Sequence, residues 1–183
     1  MTTYVGLLRG INVGKHKRVP MATLRELLTG MGCGSVRTHL NSGNAVFTHP
    51  TASGADGEQR LAAELEATIA GELGFAVPCV VREGGDLRRV IDDNPFDMTG
   101  LDPSRFLVTF LAGPLDAARL EGLDPAAYAP EEFAAGKREV YCHFPDGVHK
   151  AKLPPLLNDR RFGMTATARN WNTVLRLAEL AAT

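Results

Sequence analysis

The chain has 183 residues, 44% hydrophobic and 22% charged, which suits a globular protein with room for one medium domain or two small ones. Its apolar runs fall far short of the roughly 20 residues that a membrane-spanning helix needs, and its start lacks the basic stretch and long apolar core of a signal peptide. The net charge of −1 hides an uneven spread: six Lys/Arg and one acid in 1–50, six and sixteen in 51–135, eight and four in 136–183. Two basic ends could share an anionic partner; equally, the acids could only decorate exposed helices.

"TYVGLLR" (3–9) is short, apolar and closed by Gly10, the pattern of a buried strand. Pro20 suits the first turn of a helix, and Met21, Leu24, Leu27, Leu28 and Met31 follow at helical spacing until Gly32 stops it. "SVRTHL" (35–40) and "NAVFTH" (44–49) read as two strands joined by turn chemistry at Asn41-Ser42-Gly43-Asn44. A polar stretch (50–57) leads to an amphipathic helix over roughly 58–73. "AVPCVVRE" (76–83) closes the set, its proline marking an edge or a strand start.

That order, β-α-β-β-α-β, is the signature of a ferredoxin-like α-β plait. After a linker with a short helix (84–104) the order restarts. "RFLVTFLA" (105–112) is a strand, 114–123 a helix, "EEFAAG" and "REVYCHF" two strands, 150–163 a helix with Pro154-Pro155 near its start, and "MTATAR" (164–169) the closing strand. A last amphipathic helix covers 170–182. The expectation is an α+β protein of two tandem ferredoxin-like plaits, 1–83 and 105–183, with an added C-terminal helix.

The stretch "LLRGINVGKHKRVPM" (7–21) holds four Lys/Arg, one histidine and no acid. In a plait the first and third strands are antiparallel neighbours, so the 10–19 loop should lie beside the Asn41–Asn44 turn, with the N-terminus of the first helix facing the same way. Arg9, Asn12, Lys15, His16, Lys17 and Arg18 would then meet Asn41, Ser42 and Asn44, a set of donors suited to phosphate or carboxylate. By the same reasoning Lys150 and Lys152 should approach Arg169, Asn170 and Asn172 in the second half. The competing reading is a solvated basic loop joining strand to helix.

Other chemistry fares worse. "GINVGK" fails the phosphate-binding P-loop pattern, since three residues separate Gly10 from Gly14 and His16 stands where Ser or Thr would hold magnesium; nor is it G-x-G-x-x-G. Cys142, His143, Asp146 and His149 lack metal-ligand spacing, and adjacent strand residues point to opposite faces. Ser42 lies in "NSGN", not in G-x-S-x-G, and no base is placed for it. The cysteines Cys33, Cys79 and Cys142 are widely spaced and odd in number, which favours free thiols in a reducing cytoplasm. No cofactor motif and no metal site are expected. In "RNWNTV", Asn170 or Asn172 could cap the last helix while Trp171 packs inward with Val174, Leu175 and Ala178.

At "LLRGINVG…VPM", "SGNAVF" and "TARNWNTV" the chain resembles, nearly end to end, a widespread bacterial family known as domain of unknown function 1697. The resemblance implies a two-part α+β protein built from plait-like domains. It singles out Arg9, Gly10, Asn12 and Gly14, then Ser42, Gly43 and Asn44, then Arg169, Asn170, Trp171, Asn172 and Thr173, with a weaker match at Lys150–Leu153; "KHKR" at 15–18 departs from the family pattern. It supplies no activity. The expected function is binding of a phosphate-bearing or other anionic small ligand at the basic, Asn-rich edge, with catalysis left open. The alternatives are single-stranded nucleic-acid binding, against which the strands lack paired stacking aromatics (Phe47, Phe106, Phe110 and Tyr141 are the candidates, and most read as core), and a protein-interaction module.

Overall fold

The opening apolar run becomes β1 (Thr2–Leu8) in the computed structural model, which describes residues 1–50 and 53–183. There follow α1 (Met21–Gly30), β2 (Gly34–His39), β3 (Asn44–His49), α2 (Ala55–Leu73) and β4 (Cys79–Glu83). The strands form an antiparallel sheet in the order β2-β3-β1-β4, with Leu7 opposite Asn44 and Leu8 opposite Cys79. β4 is an edge strand, and Pro78 sits just before it, where the absence of an N–H leaves the ladder intact. Thr51 and Ala52, in the expected polar stretch 50–57, lie outside the described residues.

The helices cover one face. α1 buries Leu24 and Leu28, and α2 buries Leu61, Leu65 and Ile69, the i, i+4 spacing that puts side chains on one stripe. These meet Tyr4, Leu8, Phe47 and Val81 from alternate sheet positions. Pro20 lies one residue before the helix, not in its first turn: its ψ of 139° is extended, while its carbonyl accepts the N–H of Leu24 at 3.0 Å. Leu40, expected at a strand end, instead opens the turn with a left-handed φ of 59°.

The chain divides into two units, residues 1–87 with 177–183, and residues 88–176. The C-terminal residues are tied into the first by Arg37, whose guanidinium donates to the Leu180 carbonyl and to Thr183 Oγ1, both at 2.6 Å. The helix of the expected linker is α3 (Gly84–Asp92).

The second unit repeats the strand order of the first. β5 (Phe106–Leu111), β6 (Glu132–Ala135), β7 (Glu139–His143) and β8 (Ala166–Asn170) form an antiparallel sheet in the order β6-β7-β5-β8. Its crossovers depart from the expected helices. Residues 114–123 give only a 3-10 turn, Ala117–Leu120, followed by the four-residue α4 (Pro125–Tyr128). Asp116 and Asp124 accept the N–H groups of Ala118 and Ala126, so each starts a short turn of its own. Residues 150–163 give a 3-10 turn, Pro154–Leu156, and α5 (Asp159–Phe162), which ends at Gly163 with φ 67°. Two consecutive prolines remove the N–H groups that a continuous helix would need. α6 (Trp171–Ala181) follows β8 without a loop. Of its expected inward stripe, Trp171 and Val174 are buried, whereas Leu175 is exposed. Phe110 is fully buried in the sheet, and Leu111, Leu120, Cys142, Phe144, Leu153 and Phe162 form a core cluster.

Candidate functional site: a basic rim on the first sheet

The 9–20 loop is held at both ends by burial of Ile11 and Val19. Between them the chain turns back on itself around Asn12, which takes a left-handed φ of 56°. Its side-chain Nδ2 donates to the Val19 carbonyl at 2.9 Å and to the Asn41 carbonyl at 2.6 Å, and its Oδ1 accepts the Val19 N–H at 2.9 Å. Its own N–H donates to Lys17. One side chain thus closes the loop and fastens it to the 40–43 turn. Asparagine suits the position because it tolerates left-handed backbone and carries both donor and acceptor.

The turn presses close on the other side. The Leu8 N–H donates to the Gly43 carbonyl at 2.8 Å, and a Cβ on Gly43 would lie 2.7 Å from Leu8 Cβ and 2.8 Å from Ile11 Cδ1. With φ at 89°, only glycine fits there without a shift. Asn44 is fully buried, its Nδ2 donating to the His39 carbonyl and to Ser42 Oγ. The Arg9 N–H donates to Pro78, and Lys17 Nζ to the Ala76 carbonyl at 2.9 Å.

What the rim offers to solvent is therefore narrower than the full set of expected residues. Lys15, His16 and Arg18 are exposed and make no hydrogen bond or ion pair among the described residues. Val13 is 73% exposed and Leu40 57% exposed, two apolar tips on the loop and turn that Asn12 joins. Asn12 bonds main chain, Asn44 bonds the His39 carbonyl and Ser42 Oγ, and Asn41 contributes its carbonyl.

In the second unit the expected residues are spread out. The N–H groups of Lys152 and Leu153 donate to the Glu131 carboxylate at 2.6 and 2.9 Å, placing that segment by the start of β6. Arg169 and Asn170 lie on β8, at the opposite edge of the sheet, about 14 Å away across three strand spacings. No hydrogen bond or ion pair joins Lys150 or Lys152 to Arg169, Asn170 or Asn172 among the described residues. Arg169 is buried, its Nη1 donating to Thr167 Oγ1 and to the Ala168 carbonyl, both at 2.8 Å. Asn170 Oδ1 accepts the N–H of Thr173 at 3.0 Å and its hydroxyl at 3.1 Å, capping α6. Trp171 packs edge-on against Phe106, ring centres 5.4 Å apart, and Asn172 is exposed. The motifs do not mark a further basic concavity in this unit, around Arg119, Arg160 and Arg161.

All three cysteines are buried and free. Burial pushes the Cys33 thiol up to about 11, with Glu64 adding to the effect, and the Cys142 thiol up to about 12, with Glu131 adding to it. Both remain protonated at neutral pH and are poor nucleophiles. Among the described residues no three His, Cys, Asp or Glu are grouped to hold a metal ion, and no helix is long and apolar enough to cross a membrane.

These features define a class, α+β proteins made of two four-stranded antiparallel plait-like sheets with a C-terminal helix. The chain belongs to the DUF1697 family of proteins of unknown function, whose model matches residues 1–141. The "RNWNTV" stretch lies beyond the matched residues. The fold is also that of a conserved bacterial protein, SP0830 from Streptococcus pneumoniae: 26% identity, 98% of each chain covered, TM-score 0.77. No functionally curated protein matches significantly.

Proposed function

We propose that the protein binds a phosphate-bearing anionic ligand at the rim of its first sheet, through Lys15, His16 and Arg18. The observation that carries the reading is the loop itself: three exposed basic side chains, unpartnered among the described residues and without an acid in residues 7–21, on a backbone that Asn12 holds in place. A merely connecting loop needs neither the charge nor the clamp. Left-handed residues recur at Gly10, Asn12, Gly14 and Lys17, the backbone type from which anion-binding nests are built. The first turn of α1 has no side-chain cap and no acid, so its N–H groups add positive potential at the same end of the sheet.

Nucleic-acid binding through the sheets is the weaker reading, because Phe47, Phe106, Phe110 and Tyr141 are all buried and unable to stack on bases. A thermal-shift panel of nucleotides, sugar phosphates and carboxylates tests the proposal. A ligand selective for the native state raises the melting temperature as its concentration rises above the dissociation constant. A phosphate compound should do so in the wild type and fail in Lys15→Ala/Arg18→Ala; equal shifts in both would remove the rim from consideration.

A further inference from the structure

The second unit contains a concavity of about 440 Å³ lined by Arg119, Arg160, Arg161 and Asn158, with Leu156 and Gly122. It lies where two crossovers fail to form regular helices. The 3-10 turn Ala117–Leu120 supplies one wall, and the segment from Pro154 through α5 supplies the other.

Two of the three arginines are held by main-chain carbonyls. Arg161 Nε donates to the Leu156 carbonyl at 2.8 Å and its Nη1 to the Arg119 carbonyl at 3.0 Å. Arg119 returns the contact, its Nη1 lying 3.4 Å from the Arg161 carbonyl. Asn158 fixes the turn below them, accepting the Arg161 N–H and donating to the Pro155 carbonyl. Arg160 makes no hydrogen bond or ion pair among the described residues. Among the described residues a single loose carboxylate contact stands against three guanidinium groups, Asp116 Oδ2 at 4.0 Å from Arg119 Nε, with both side chains half exposed or more.

Holding three like charges together with so little counter-charge is unfavourable, and an anion seated among them relieves that repulsion. Arginine's planar fork favours phosphate oxygens in particular. Among the described residues no aromatic ring lines the space, and its polar lining is mainly arginine.

We infer that this concavity is an anion site, separate from the first-sheet rim, that receives a compact phosphate group: inorganic diphosphate or the phosphate end of a small ester. It stands whether or not the rim binds a ligand.

Amide NMR on the full-length chain decides it, with inorganic diphosphate and a sugar monophosphate as separate titrants. At least one should move the resonances of residues 118–122 and 158–163 saturably; diphosphate alone points to the free anion, and response to the monophosphate to an ester. Arg160→Ala, which removes no hydrogen bond or ion pair among the described residues, should weaken that response about tenfold, the value of one lost charge-assisted hydrogen bond. The inference is overturned if neither titrant moves those resonances, if shifts are confined to residues 10–19, or if Arg160→Ala responds as the wild type does.

Discussion

Asn12 shows how much one side chain can decide. It makes three hydrogen bonds to main chain, at a φ that costs alanine about 1–2 kcal/mol more than asparagine or glycine. Asn12→Ala should destabilise the protein by about 2–3 kcal/mol in urea unfolding and speed amide exchange at Val19, which loses its acceptor. Gly43→Ala, forced against Leu8 and Ile11 at left-handed φ, should cost about 2–4 kcal/mol in the same assay. If either variant were as stable as the wild type, the clamp between loop and turn would not exist as described. The glycine-asparagine character of both stretches is plain in the sequence. That Asn12 spends its amide on Asn41 and Val19, and so has none to offer a ligand, is not, because spacing says nothing about which carbonyl a left-handed asparagine will reach. Leu40 was beyond sequence reasoning for a related reason: a β-propensity pattern runs through it, and its left-handed backbone follows from the turn it must open.

At the scale of elements, the strands and the first unit's helices were legible because period-2 and period-3.6 patterns are strong there. Residues 114–123 and 150–163 were not. Their apolar spacing looks helical, yet Gly122, Pro125 and Pro154-Pro155 interrupt the N–H···O=C ladder, and Asp116, Asp124 and Asn158 restart it in short turns. The Arg119 cluster follows from those interruptions and joins segments some forty residues apart, which no local motif records. A further element-scale feature is the pair formed by Arg89 at the end of α3 and Glu139 at the start of β7. The two groups meet bidentately at 3.2 and 2.9 Å, with the carboxylate fully buried. Arg89→Ala leaves that carboxylate without its cation and should destabilise the protein by about 3–5 kcal/mol in urea unfolding. A loss below about 1 kcal/mol would show that the pair is dispensable.

For the whole molecule, the element order predicted two plaits, and both sheets have the strand order that the plait requires. Stability should also carry a mark at high pH. Cys33 and Cys142 have thiols raised to about 11 and 12, above the ordinary value near 9. An unfolded chain therefore gives up these protons first as pH rises, and the folded state holds more of them. Their contribution is complete below about pH 9 and declines through pH 11–12. Urea unfolding of the wild type and Cys142→Ala should show a stability difference that narrows across that window; a difference independent of pH would contradict it. Charge segregation along the chain is the part that only the folded molecule interprets. The acidic middle does not neutralise Lys15, His16 or Arg18, which stay unpartnered among the described residues.

The most direct trial of the rim is a titration with inorganic polyphosphate, followed at the amides of residues 13–18 at low and at physiological salt. Saturable shifts should appear in the wild type, weaken steeply with salt, and need about tenfold more titrant in Lys15→Ala/Arg18→Ala. Silent amides there, or shifts indifferent to both salt and the substitutions, would show that the loop is only a connection.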